Sequence, residues 1–349
     1  MPPTPLAPPV LRAGADDADV DDAAAGLVDE FGRVHTDLRL SLTDRCNLRC
    51  TYCMPAEGLD WLPNPQRLTD EEILRLMRVF SSLGIATVRL TGGEPLLRRG
   101  LPGLVSDLRG LGLRLSLTTN GLGLSRQAVA LASAGLDRVN VSLDTLRPER
   151  FTELTRRDRL ADVLAGLAAA HEAGLSPVKV NTVLMRGVND DEAPELLDWA
   201  LEHGYALRFI EQMPLDPQHG WDRSVMVDAD EILAALSRRH ALTPVAGRGS
   251  APAETFLVDG GPATVGVIGS VTRPFCSACD RLRLTADGQL RTCLFARTES
   301  DLRGPLRDGA DDEALAAQVR RVVLGKKAGH GIGEPGFTQP DRPMSAIGG

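Results

Sequence analysis

The sequence predicts an α/β fold: a parallel sheet with helices packed on its outside. Three observations point there. Six short runs, alternating or β-branched, recur at 37–43, 87–91, 114–119, 138–143, 177–184 and 206–213. Amphipathic segments near 69–83, 101–110, 125–134, 158–173 and 190–203 fill the gaps between them. Several of these segments end on glycine just before the next strand, at Gly84, Gly135, Gly174 and Gly204, as helix C-caps do. Strands alternating with helices at this spacing make βα units. Six such units fall short of a closed eight-stranded barrel and suit an incomplete one. A doubly wound open sheet has the same alternation.

Along the chain, "DLRLSLT" supplies the first strand. The first helix starts at Thr69, with Glu72 three residues on as a capping box. After about residue 214 the pattern changes: a loop "PLDPQHGWDRS", a helix near 228–239, then a Pro/Gly-rich stretch to 263. "TVGVIGS" follows, and then "RLRLTADGQLRTCLF", which reads as a hairpin turning at Asp287-Gly288. A helix near 311–327 carries Arg320, Arg321, Lys326 and Lys327 at its C-terminal end, where cations complement the dipole. The expected organisation is a disordered tail over 1–35, a barrel over 36–227, a C-terminal region over 228–330 and a terminal tail over 331–349.

The 349 residues are 43% hydrophobic, enough for a large core. A net charge of −8 argues against general nucleic-acid binding. No apolar run is long enough to span a bilayer, and the Pro-rich, then acidic start has no secretory pattern. These features predict a cytoplasmic location, where thiols stay reduced and cysteines serve metals before disulfides.

The six cysteines form two groups: Cys46, Cys50 and Cys53 (C-x3-C-x2-C), and Cys276, Cys279 and Cys293 (C-x2-C-x13-C). Function in parallel α/β folds sits at the C-terminal ends of the strands, and the first group directly follows the first strand. A structural zinc wants four ligands. Three thiolates on a cubane cluster leave one iron open, which turns a missing ligand into a reactive position. For the second group zinc stays open, with Asp280 or a tail residue as fourth ligand.

The C-x3-C-x2-C spacing, with Tyr52 before the last cysteine, resembles the radical S-adenosylmethionine (SAM) enzymes. So does "TGGEP" after the second strand. The second cysteine group with "DRLRL", together with "VRLTGGEPLLR", "LTTNG", "NVSLDTL", "VKVNTVLMRGVN", "LRFIEQM" and the ending "SAIGG", is similar to the GTP 3′,8-cyclase family of molybdenum cofactor biosynthesis. That resemblance runs from about residue 36 to 349.

The resemblance implies a partial (βα)6 TIM-type barrel with a C-terminal second-cluster domain, and two [4Fe-4S] clusters. One open iron would hold SAM and the other the guanine base. It implies SAM contacts at Tyr52, Gly93, Ser142 and Met213, with Asp144 supporting Ser142. GTP contacts are implied at Arg39, Arg89, Thr118, Lys179, Arg281, Leu282 and Arg283, with Arg281 and Arg283 holding the reacting substrate. The tail ending Gly348-Gly349 is expected to reach the active site. Implied partners are a low-potential electron donor, flavodoxin- or ferredoxin-like, and the cyclic pyranopterin monophosphate synthase that takes the product. The chain is expected to be a monomer or homodimer. The rival readings are a radical SAM peptide-maturing enzyme and, from another class, a non-catalytic zinc-binding module.

Overall fold

The computed structural model describes residues 26–348. Its strands are β1 (Asp37–Ser41), β2 (Thr87–Thr91), β3 (Arg114–Thr119), β4 (Arg138–Ser142), β5 (Val178–Leu184), β6 (Ala206–Glu211), β7 (Leu242–Pro244), β8 (Glu254–Val258), β9 (Thr264–Ile268), β10 (Arg281–Leu284), β11 (Gln289–Arg291) and β12 (Ser300–Asp301). Its helices are α1 (Asp70–Ser82), α2 (Leu101–Gly110), α3 (Leu124–Ser133), α4 (Pro148–Thr155), α5 (Leu160–Glu172), α6 (Ala193–Glu202), α7 (Ala229–Leu236), α8 (Arg303–Arg307), α9 (Asp312–Leu324) and α10 (Met344–Ile347).

The local signals act as the sequence predicts. At the start of α1 the Thr69 hydroxyl accepts from the Glu72 amide at 3.2 Å, and the Glu72 carboxylate accepts from the Thr69 amide at 2.8 Å. That helix buries Ile73, Leu76, Met77, Val79 and Phe80 against the sheet. Asp287-Gly288 turns the chain between β10 and β11, which pair antiparallel.

Strands β1 to β6 pair in sequence order, all parallel. This is the expected six-stranded core. The C-terminal region extends it at both edges, β10 pairing parallel with β1 and β9 parallel with β6. The full order is β12-β11-β10-β1-β2-β3-β4-β5-β6-β9-β8-β7, one sheet whose ends do not meet. The barrel is therefore incomplete, and its sheet runs on without a break across the expected boundary at 227/228. Strands β7 and β8 lie in the Pro/Gly-rich stretch that showed no strand pattern. They form because β9 offers an edge for antiparallel pairing.

The expected disorder to residue 35 needs correction. Residues 1–25 lie outside the described residues, but residues 26–35 are folded. Leu27 is buried in the main core, Val28 bridges Val34, and the Asp29 carboxylate accepts from the amides of Phe31 and Arg33. Buried Leu27, the Asp29 turn and the bonds from Arg33 to the carbonyls of Cys276, Lys327 and Ala328 hold this segment.

Strand alternation divides the sheet by polarity. Leu38, Leu40, Val88, Leu90, Leu115, Leu117, Val139, Val141, Leu207 and Phe209 join the core beneath the helices. The alternate positions, Arg39, Arg89, Thr118, Ser142, Asn181 and Arg208, line a chamber inside the barrel. A closed eight-stranded barrel is usually filled by bulky branched side chains. A polar interior instead leaves room for a ligand and marks it as charged.

Candidate active site

The chamber lies at the C-terminal ends of the parallel strands, and both cysteine groups open onto it. The loop after β1 carries Cys46, Cys50 and Cys53. It is held by backbone bonds from Cys53 and Met54 to the Cys50 carbonyl, at 3.0 and 2.9 Å. The loop after β2 packs directly against its start. Gly93 donates to the Thr43 carbonyl at 2.8 Å and Glu94 to the Arg45 carbonyl at 2.7 Å. A side chain on Gly92 would collide with the Thr43 carbonyl, and one on Gly93 with the carbonyls of Asp44 and Arg45. The glycines of "TGGEP" thus serve the close approach of two loops. Gly93 also lines the chamber.

Burial pushes the thiols of Cys46, Cys50 and Cys53 up, Cys53 to about 12. Such thiols ionise when a metal displaces the proton. Asn120 directs its amide nitrogen at the Cys46 sulfur from 3.7 Å. Among the described residues, no three His, Cys, Asp or Glu side chains gather around a single ion position. Each trio borders open chamber instead. Three cysteines bordering an open chamber suit an iron–sulfur cluster with one iron facing a ligand.

On the SAM side of the expectation, Tyr52, Gly93, Ser142 and Met213 all line the chamber, as does Asp144. The Tyr52 hydroxyl donates to the Asp144 carboxylate at 2.7 Å. Burial raises Asp144 to about 6, although it also accepts from the Val183 amide at 2.9 Å.

The cationic side chains converge from several strands. Register places Arg39 beside Arg89 on β2 and beside Arg283 on β10. Arg39, Arg89, Thr118, Arg281 and Arg283 line the chamber. Burial and the Arg39 charge press Arg283 down to about 9. Burial and the charges of Arg39 and Arg138 press Arg208 to about 10. Burial with Arg208, Arg138 and Arg89 brings Lys179 to about 8. These shifts describe like charges crowded together with too few carboxylates among them, which favours a polyanion. Asp37 lies within the group, bonded to Arg39 at 3.1 Å, and Asp280 lies 3.8 Å from Arg281.

Two expected GTP contacts lie outside the chamber wall itself. Lys179 sits on β5 two residues before the lining residue Asn181, on the same face and beside Asn140, where the charges of the lining Arg208 and Arg89 reach it. Leu282 is fully buried in the core beside Leu38, because alternation along β10 turns it away from the face of Arg281 and Arg283. Its side chain therefore does not meet a ligand in the chamber. Conversely, Arg208 and Asn181 were missed. Arg208 donates to Asn140 at 3.0 Å, while its Nε and the Asn181 side-chain oxygen are buried without a partner. The alternation of "LRFIE" and "VKVNTV" would have marked both as interior.

The C-terminal tail enters the barrel. Ser41 donates to the Ile347 carbonyl at 3.0 Å, and Arg283 donates to the Gly348 carbonyl. Gly348 takes φ 85°. A Cβ there would meet Ser41 and lie 2.7 Å from the Thr91 methyl. Arg281 is held by the Ser250 carbonyl at 2.7 Å and lies over the Phe275 ring.

An open, polar-lined parallel barrel with a three-cysteine loop after its first strand defines a radical SAM enzyme, and residues 40–200 match the Radical SAM superfamily. Residues 205–332 match the Molybdenum Cofactor Synthesis C family. Over 333 residues the chain is 67% identical to the GTP 3′,8-cyclase of Streptomyces coelicolor, covering 94% of this chain and 98% of that protein. It is 58% identical to the GTP 3′,8-cyclase of Mycolicibacterium smegmatis, covering 97% and 95%. The chain belongs to the GTP 3′,8-cyclase family. Among solved structures, Streptococcus suis SuiB bound to precursor peptide SuiA shares the fold: TM-score 0.57, 15% identity, 82% of this chain and 66% of that one.

Proposed function

We propose that the chain converts GTP to (8S)-3′,8-cyclo-7,8-dihydroguanosine 5′-triphosphate, the first step of molybdenum cofactor biosynthesis. The observation that carries this reading is the crowd of buried cations lying in one chamber with two cysteine trios. A triphosphate supplies the missing negative charge, and guanidinium forks suit it.

Cys46, Cys50 and Cys53 would hold the SAM cluster, and Cys276, Cys279 and Cys293 the cluster that takes the guanine base. Bound at the first trio, a reduced cluster would supply the electron for reductive SAM cleavage, the source of the radical that would take hydrogen from the ribose C3′. The chain's residues position and shield. Tyr52, Gly93, Ser142 and Met213 flank SAM, with Asp144 fixing the Tyr52 hydroxyl. Arg39, Arg89, Thr118, Arg281 and Arg283 hold the phosphates and ribose, joined by Arg208. Lys179 strengthens the positive potential from below. Substrate held at both ends is restricted to geometries that keep C3′ near the radical and C8 near C3′. The inserted tail excludes water from the radical. Closing the C3′–C8 bond to product takes one further electron and a proton.

The electron donor is a low-potential flavodoxin- or ferredoxin-like protein, and the product passes to cyclic pyranopterin monophosphate synthase. Among the described residues no helix is long and apolar enough to cross a membrane. The reaction is assigned to the cytoplasm.

The test is anaerobic reconstitution with iron and sulfide, reduction, and incubation with SAM and GTP. GTP loss matched by 5′-deoxyadenosine and a cyclised nucleotide is expected. Formation of 5′-deoxyadenosine with GTP untouched would remove the cyclase reading.

A further inference from the structure

Behind the second cysteine trio, on the side away from the radical site, lies a buried line of charged groups. Lys326, just past the end of α9, is 3% exposed. Its ammonium lies 2.7 Å from the Arg281 carbonyl, 3.3 Å from the Cys279 carbonyl, 3.7 Å from the Cys279 sulfur and 3.4 Å from His35 Nδ1. Three donors thus meet three neighbours: Arg281, Cys279 and His35. On the far side of the ring, His35 Nε2 lies 3.0 Å from the Asp29 carboxylate, both side chains fully buried. With Nδ1 accepting from Lys326, the proton sits on Nε2 and is donated to Asp29. Asp29 also pairs with Arg33 at 2.6 Å. Arg33 in turn donates to the carbonyls of Cys276, Ala328 and Lys327, at 2.7, 2.9 and 2.7 Å. The segment 29–35 therefore grips both the cysteine loop and the end of α9.

We infer that Lys326, held by His35 and Asp29, is a positioning residue that fixes a cation against the Cys279 sulfur and thereby raises the reduction potential of the second cluster. It rests on the second trio holding a cluster. The physics is direct: reduction adds negative charge to the cluster, and a buried, weakly screened ammonium beside a ligand sulfur stabilises the reduced form more than the oxidised one. Both Lys326 and Arg281 act on this sulfur. Lys326 lies 3.7 Å from the Cys279 sulfur, and Arg281 is two residues along the chain from it.

The test uses full-length chain with Cys46, Cys50 and Cys53 changed to Ser, so that only the second cluster is present. Iron and sulfide are counted, and the midpoint is read by dithionite titration followed by electron paramagnetic resonance. Absence of iron and sulfide in this parent would defeat the cluster assignment itself, and the inference with it. With the cluster present, Lys326→Met should disfavour reduction at least tenfold, about 59 mV for one electron. Lys326→Arg should stay within threefold of the parent. Lys327→Met, which removes an exposed charge next door, should leave the midpoint in place. An unchanged midpoint in a cluster-bearing Lys326→Met variant overturns the inference, as does an equal shift in Lys327→Met. Cluster loss from Lys326→Met shows that the residue holds the cluster rather than tunes it and overturns the inference.

Discussion

Replacing Gly348 by Ala isolates the contribution of the inserted tail. The residue sits at φ 85° and ψ 110°, a backbone region that L side chains rarely adopt. Strain of this kind costs about 1–3 kcal/mol. The new methyl would also overlap Ser41 and lie 2.7 Å from the Thr91 methyl, both on strands of the barrel. Two bonds from barrel residues hold the end of the tail, one from Ser41 to the Ile347 carbonyl and one from Arg283 to the Gly348 carbonyl, while Arg342 pairs with Asp287 further back and Ile347 is fully buried. A neutral bond is worth about 0.5–1.5 kcal/mol and one from a charged donor about 1.5–3 kcal/mol, before the ordering of the tail is subtracted. A cost of about 2–3 kcal/mol is therefore enough to displace Gly348 from the barrel, with Arg342 still anchoring the tail behind it. The expected result is a fall in kcat/KM for GTP of at least about tenfold. The melting temperature should move by no more than about 2 °C, since the site is at the chain end. Anaerobic turnover and carboxypeptidase digestion read the two consequences together. Wild-type turnover in a variant whose tail resists digestion as before would refute the reasoning.

Three further outcomes are expected. Burial keeps Glu94 protonated up to about pH 7, against an ordinary value of 4.5. A carboxyl raised in the fold favours the fold at low pH, and that advantage fades as pH climbs through 7. Between pH 5.5 and 7.5, urea unfolding of the cluster-free chain should lose about 2 kcal/mol less in Glu94→Gln than in wild type; equal losses would discount the raised carboxyl. Arg208→Met should raise KM for GTP about tenfold or more with 5′-deoxyadenosine formation from SAM retained, and an unchanged KM would exclude a phosphate contact. Arg33→Ala leaves the buried Asp29 without its guanidinium and should destabilise the chain by about 3–5 kcal/mol; an unfolding midpoint equal to wild type would show the brace to be idle.

Much of the fold was legible because strands and helices carry periodic signals. Alternation in "DLRLS", "TVRLT" and "RLRL" marked strands with one polar and one apolar face. The capping box at Thr69 marked a helix start. Strands β7 and β8 were not legible, since their pairing is created by β9 rather than by their own composition. The folded segment 26–35 was hidden for a related reason: its stability comes from contacts with residues 276, 327 and 328, far along the chain. Leu282 belongs to the RLRL motif, and its burial follows from the alternation that the motif itself displays.

The sequence by itself determined the chemistry available: two cysteine trios, the glycines that let two loops meet, and a set of arginines at alternate strand positions. Those are local properties, written in spacing and residue type. Only the tertiary structure decided which of these groups share a space. It brought β10 against β1, and so Arg283 beside Arg39; it drew Gly348 into the barrel and set Lys326 against Cys279. The reason is physical. Charge crowding, burial and tail insertion depend on distances between residues remote in sequence, and no local pattern encodes them.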